Sequence, residues 1–187
     1  MTQTIPTDFN YDYFDNPNAQ GYQGYTRQAT NDQIVDSWES IVQFCVNHQI
    51  TSALDIGCAK GFLVEALLQG GISAIGYDIS DYVLSFAKTL PCRKHDIRLG
   101  ISDSADAIFA LGVLLYLKES ELVSVLGSIY EMTGKLFLFS SYYEGDIQNV
   151  SDPLRLITRP YLWWRKKIEF VGFKFCGQED YFDVYCK

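Results

Sequence analysis

The sequence predicts an α/β fold in three layers: a seven-stranded, mostly parallel sheet with its last strand reversed, packed between helices. Three observations predict it. From residue 30 onward, short apolar runs alternate with segments of helical period. The first of these runs ends in a glycine turn, Gly57-Cys-Ala-Lys-Gly61, that opens directly into a helical segment. The last two runs, Phe173–Cys176 and Tyr181–Cys186, lie only a few residues apart, the spacing of an antiparallel hairpin.

Residues 1–29 are rich in Asn, Asp, Gln, Gly and Tyr without a clear period and read as an irregular arm; residues 30–187 read as one domain, with no repeat or dividing linker. Thr30 and Gln33 have capping-box spacing, and Ile34, Val35, Trp38, Ile41, Val42 and Cys45 then line one helix face. Ala53–Ile56 is a short strand, and Phe62–Gln69 is a helix closed by Gly70-Gly71. Ser73–Tyr77 is a strand ending at Asp78, and Asp81–Leu90 is a helix with Val83, Leu84, Phe86 and Ala87 inward. Cys92–His95 and Ala105–Leu111 are the next strands. Glu119–Thr133 follows as a helix with Leu122, Val125, Leu126 and Ile129 on one face. Lys135–Ser140 is a strand, and Pro160–Val171 is a helix with proline in its first turn.

Composition excludes several functions. A chain of 187 residues has room for one full core. Fifteen basic against 23 acidic side chains give a net charge of −8, which repels phosphate backbones and argues against a nucleic-acid partner. The longest apolar run, Ala107–Leu117, is too short to span a bilayer, and the polar start shows no signal peptide, so no membrane association is expected. The five cysteines are odd in number and scattered, and His48 and His95 share no ligand spacing with them. Neither a metal site nor a disulfide framework is expected, and a cytoplasmic location follows.

The chemistry concentrates at strand ends. Asp78 ends the second strand, 21 residues after Gly57, where a carboxylate accepts hydrogen bonds from ribose hydroxyls. Asp96 follows the third, where it would accept from an adenine amino group. The dinucleotide fingerprint fails, because Ala59 and Phe62 stand where it requires glycine. Asp55 would repel a pyrophosphate, and it suits a ligand carrying an ammonium and a sulfonium, as S-adenosyl-L-methionine does.

Leu54-Asp-Ile-Gly-Cys-Ala-Lys-Gly-Phe62, Gly76-Tyr-Asp-Ile-Ser80 and Asp106–Leu117 resemble the successive motifs of class I S-adenosylmethionine-dependent methyltransferases, over about residues 30–187. The resemblance implies a Rossmann-like three-layer sandwich and S-adenosyl-L-methionine as cofactor. By the same resemblance Asp55, Gly57, Cys58, Ala59, Gly61 and Phe62 form the cofactor loop, with Cys58 a packing residue in it. Asp78 would bind the ribose with Ile79 against the adenine; Asp96 and Ile97 would flank the adenine; Leu111 and Gly112 would touch the methionine or the acceptor. Leu115-Tyr116 replaces the Glu-His of many small-molecule members, so an imidazole base is missing from that position. No Asn-Pro-Pro-Tyr type sequence follows the fourth strand, against methylation of nucleic-acid bases.

Gly21-Tyr-Gln-Gly-Tyr-Thr-Arg27 resembles the arm that folds over the cofactor in some small members of the family. That resemblance makes Tyr22 and Tyr25 walls of the transfer site and gives Arg27 the methionine carboxylate. Tyr142 and Tyr143 follow the fifth strand in a loop expected to shape the acceptor pocket, together with Tyr116. Tyr116 and His95 are the candidate general bases. The expected activity is methyl transfer to oxygen or nitrogen of a small molecule. The alternatives are a peptide or carrier-bound acceptor, a non-catalytic S-adenosylmethionine-binding protein, and a nicotinamide oxidoreductase disfavoured by the failed fingerprint.

Overall fold

The computed structural model describes residues 3–18, 33–145, 152–179 and 182–187. Seven strands hydrogen-bond in the order β3-β2-β1-β4-β5-β7-β6, a mixed sheet with helices in its crossovers. The chain divides into two compact units, one of Ile5–His95 and one of Met1–Thr4 with Asp96–Lys187.

In the Ile5–His95 unit, β1 (Ser52–Ile56), β2 (Ser73–Asp78) and β3 (Cys92–Lys94) are parallel, with β2 central. β1 is buried at four of its five positions, as a strand covered on both faces requires. α2 (Gln33–Asn47) precedes β1, and α3 (Phe62–Gln69) connects β1 to β2. Ile41 and Cys45 of the predicted face of α2 are fully buried, and Phe44 joins them. The helix expected over Asp81–Leu90 stops early: α4 is only Asp81–Leu84, capped by the Ser80 hydroxyl, and the chain continues in turns to Leu90. Phe86, expected inward, is exposed.

The first residues also differ from an irregular reading. Asn10 caps a short helix, α1 (Tyr11–Phe14), through bonds from Asp12 N and Tyr13 N. Phe9, Tyr13 and Phe14 are buried, with the Tyr13 ring edge-on to both phenylalanines. The Thr30 cap falls outside the described residues.

In the second unit β4 (Ala105–Leu111) and β5 (Thr133–Ser140) are parallel, and α5 (Glu119–Met132) joins them with Leu122, Val125, Leu126 and Ile129 all buried as predicted. After α6 (Tyr161–Phe170), β6 (Lys174–Glu179) and β7 (Phe182–Cys186) form the hairpin. β7 lies between β5 and β6 and is antiparallel to both. Phe137, Phe173 and Tyr185 pack around its root at ring separations of 5.1–6.5 Å.

One expectation is corrected here. Cys176 and Cys186, read as unpaired, form a disulfide across this hairpin, with Cα atoms 6.0 Å apart. A register shift between Phe175 and Gly177 places Cys176 at a bulge facing the end of β7, a register that sequence spacing does not reveal. Cys45, Cys58 and Cys92 are free.

Candidate active site

The glycine turn is built at the carboxyl end of β1. Gly57 N and Cys58 N both donate to the Tyr77 carbonyl of β2, at 2.8 and 3.0 Å. Three residues of the turn are left-handed: Gly57 at φ 74°, Ala59 at 46° and Gly61 at 79°. Glycine meets that need at two of them without strain. At Gly61 space matters as well, because a Cβ there would lie 2.8 Å from Leu90 Cδ1 and 3.1 Å from Cys92 Sγ. Ala59 is the strained member, and its N–H is held by Asp78 Oδ2 at 2.9 Å.

Asp78 ties the turn to the end of β2. Its other oxygen accepts from Ser80 N at 2.8 Å. With Ile79 N–H as a third backbone donor, the carboxylate keeps an acceptor position for a ribose hydroxyl. Burial raises the Asp78 carboxyl above its ordinary value, and its bonds from Ser80, Ala59 and Ile79 N–H oppose that rise. Asp55 is raised well above its ordinary value by burial first, then by Cys92 and by the neighbouring negative Asp78. Two buried carboxyls around one loop are stabilised in their charged form by a bound cation. Ile79 and Phe62 are half-buried beside them.

The Cys58 thiol turns away from any ligand. It packs on Gly76 of β2, where a Cβ would come within 2.6 Å of its sulfur, and it hydrogen-bonds with Cys92. That bond first, and burial second, push the Cys58 thiol up, so it is inert as a nucleophile. The His95 ring lies tilted 4.5 Å from the buried Tyr77 ring, and the His95 backbone N–H donates to the Asp78 carbonyl.

The second unit holds the other predicted residues. Asp96 is gripped by Arg98, with Nε at 2.8 Å from Oδ1 and Nη2 at 2.7 Å from Oδ2, and it also accepts from Arg98 N. These bonds compete with the adenine contact expected of Asp96. Ile97 follows it, half-buried. Leu111 ends β4, and Gly112, at φ 66°, donates to the Ser140 carbonyl.

Tyr116 and Tyr142 are brought into one cluster. The Tyr116 hydroxyl donates to Asp152 Oδ2 at 3.0 Å, Arg155 Nε lies 3.4 Å from the same oxygen, and the Arg155 guanidinium sits 4.0 Å over the Tyr142 ring. The main chain of this segment is anchored by Leu156 N and Ile157 N on the Leu115 carbonyl. Tyr143 goes elsewhere, edge-on to Tyr161 at 5.3 Å, whose hydroxyl reaches Asp183. Tyr22, Tyr25 and Arg27 lie outside the described residues.

Sequence reasoning missed Asp15, Lys60, Arg98, Asp152 and Arg155. Only Lys60 carried a signal, as a cation inside the glycine turn. No group of His, Cys, Asp and Glu able to hold a metal occurs among the described residues, and none of their helices is long and apolar enough to cross a membrane.

Residues 54–135 match the family model described as a methyltransferase domain. No curated protein matches the chain. Among solved structures, magnesium protoporphyrin IX methyltransferase from Synechocystis PCC 6803, with bound SAH, is 16% identical at a TM-score of 0.66, covering 87% of this chain and 88% of that one. A SAM-dependent methyltransferase from Archaeoglobus fulgidus is 15% identical at 0.65, covering 85% and 98%. DesVI of Streptomyces venezuelae is 13% identical at 0.70, covering 83% and 92%. Residues 54–135 thus match a methyltransferase domain, and the chain shares the fold of solved S-adenosylmethionine-dependent methyltransferases.

Proposed function

We propose that the protein transfers the methyl group of S-adenosyl-L-methionine to oxygen or nitrogen of a small molecule. One observation carries the reading: two buried carboxyls, Asp55 and Asp78, stand at the strand ends that flank one left-handed glycine turn, and Asp78 keeps an acceptor position beyond its backbone bonds. The donor set fits a cationic nucleoside, and it fits a dinucleotide poorly because two buried carboxyls oppose a pyrophosphate and Lys60, the cation of the turn, is paired with Asp15. Solved methyltransferases of the same fold carry SAM or SAH, as in the human N-acetylserotonin and Synechocystis enzymes.

In this reading Asp55 and the backbone of Gly57, Ala59 and Gly61 hold the amino-acid end, Asp78 the ribose, and Ile79, Phe62 and Ile97 the base. Leu111 and Gly112 are further cofactor contacts. S-adenosyl-L-methionine supplies a methyl already activated on sulfur, so the chain has to position the reactants and exclude water. The cluster of Tyr116, Asp152, Arg155 and Tyr142 is the acceptor side of the proposal. Tyr116, whose hydroxyl donates to Asp152, and His95, whose ring lies tilted 4.5 Å from that of Tyr77, are the candidate bases of the proposal. Tyr22, Tyr25 and Arg27 remain in the proposal as arm residues, and Tyr143 as a more distant wall. The acidic charge supports a protein without a nucleic-acid partner, whereas the Cys176–Cys186 disulfide runs against the reducing cytoplasm expected from the sequence.

Incubation with S-adenosyl-L-methionine and a panel of phenols, amines and carboxylates should yield S-adenosylhomocysteine with at least one of them. Turnover confined to a peptide or carrier protein would replace the small-molecule acceptor. Binding without turnover on any acceptor would leave a cofactor-binding protein only.

A further inference from the structure

The cofactor loop carries a buried cation that the proposed ligand does not want. Lys60 stands between Ala59 and Gly61, and its side chain is 5% exposed. A lysine ammonium beside a site for a sulfonium and an ammonium works against binding by like-charge repulsion. The structure answers this with Asp15, from the segment just after α1. Both Asp15 oxygens accept from Lys60 Nζ, at 2.7 and 2.8 Å. The Tyr82 hydroxyl, from α4, donates to Asp15 Oδ2 at 2.6 Å. Lys60 Nζ also lies 4.6 Å over the Phe86 ring. The ammonium is thus drawn off the loop and neutralised by a carboxylate 45 residues away in sequence.

The same segment is fastened a second time. The Ser80 hydroxyl donates to the Phe9 carbonyl, and Ser80 N is one of the two donors that orient Asp78. Residues 9–15 therefore touch the cofactor loop through Lys60 and the ribose carboxylate through Ser80.

We infer that Asp15 is a specificity-determining residue of the cofactor site: by pairing with Lys60 it sets the electrostatic preference for the charged S-adenosyl-L-methionine over its neutral-sulfur product S-adenosylhomocysteine. The inference rests on the cofactor reading above. An unpaired Lys60 penalises the sulfonium ligand more than the thioether ligand, because the two differ by one positive charge at sulfur. A role confined to holding the fold would weaken both ligands alike.

The test is calorimetric titration of both ligands into the full chain, wild type and Asp15→Asn, with Lys60→Met and the Asp15→Asn/Lys60→Met pair. Asp15→Asn keeps the shape of the side chain, removes its charge and turns one of its two acceptor oxygens into a donor. The expected result is a loss of about tenfold in S-adenosyl-L-methionine affinity and a markedly smaller loss for S-adenosylhomocysteine, with the double variant recovering most of the ratio. Tyr82→Phe, which removes one hydrogen bond to Asp15, should shift the ratio in the same direction by a smaller factor. Equal losses for the two ligands, or an unchanged ratio in Asp15→Asn, overturn the inference while leaving the cofactor reading intact. A wild-type protein that binds neither ligand overturns both.

Discussion

Asp55 illustrates how a buried residue at a site opposes the stability of the free chain. Its carboxyl is held well above the ordinary range by burial, then by Cys92 and Asp78. A raised folded-state value means that its contribution to stability is fully present below the ordinary carboxylate value and is lost as pH rises through the raised one. Asp55→Asn should therefore raise the melting temperature of the free protein at neutral pH by a few degrees, while weakening S-adenosyl-L-methionine binding at least about tenfold. Calorimetric melting with and without the ligand checks both signs. The same carboxyl must ionise to meet a cation, so wild-type affinity should climb with pH across that window and then level, and it should lose this climb in Asp55→Asn. Asp78→Ala removes the acceptor of Ala59 N–H as well as the proposed ribose contact, so cofactor binding should disappear in a titration.

At the scale of elements, the glycine turn, α1 and the terminal hairpin each depend on a partner distant in sequence. The turn between β1 and α3 is set by Gly57, Ala59 and Gly61 in left-handed conformation, and a β-branched residue at Gly61 would clash with Leu90 and Cys92. Gly61→Val should misplace the start of α3 and lower stability by about 2 kcal/mol or more, measured by urea unfolding. The hairpin offers a separate test. The bond between Cys176 and Cys186 closes a loop of ten residues, worth about 2–3 kcal/mol in the chain-entropy account. Thiol titration under denaturing conditions should find three reactive cysteines in the oxidised chain and five in the reduced one. Cys176→Ser should lower stability only in the absence of reductant.

For the whole molecule the measurable quantity is linkage between ligand and folding. S-adenosylhomocysteine at a hundred times its dissociation constant stabilises the fold by about 2.7 kcal/mol, which corresponds to roughly 5–10 °C in a chain of this size. NAD should give no such shift. Removal of residues 1–15 should have the opposite effect, because it takes away Phe9, Tyr13 and Phe14 from the Ile5–His95 unit. Each buried aromatic contributes roughly 1.5–3 kcal/mol, so the truncated chain should unfold at markedly lower urea.

By itself the sequence determined the class of fold, the order of its strands and helices, and the glycine turn with Asp55 and Asp78. Those depend on local period and on residues that only certain backbone conformations admit, and both are written in short stretches of chain. It was silent on everything set by register and by contact across long separations. Asp15 meets Lys60, Asp152 meets Tyr116 and Cys176 meets Cys186 because strands and loops return to one place in space, not because of any spacing between them. The early end of α4 belongs to the same class: Val83, Phe86 and Ala87 have helical spacing, but the chain leaves the helix and carries Phe86 out to lie beneath the Lys60 ammonium. Adjacent Tyr142 and Tyr143 look equivalent in sequence, and tertiary packing sends one to Arg155 and the other to Tyr161. Pattern along the chain specifies which backbone forms; burial and charge, which are properties of neighbours in three dimensions, decide which side chains meet.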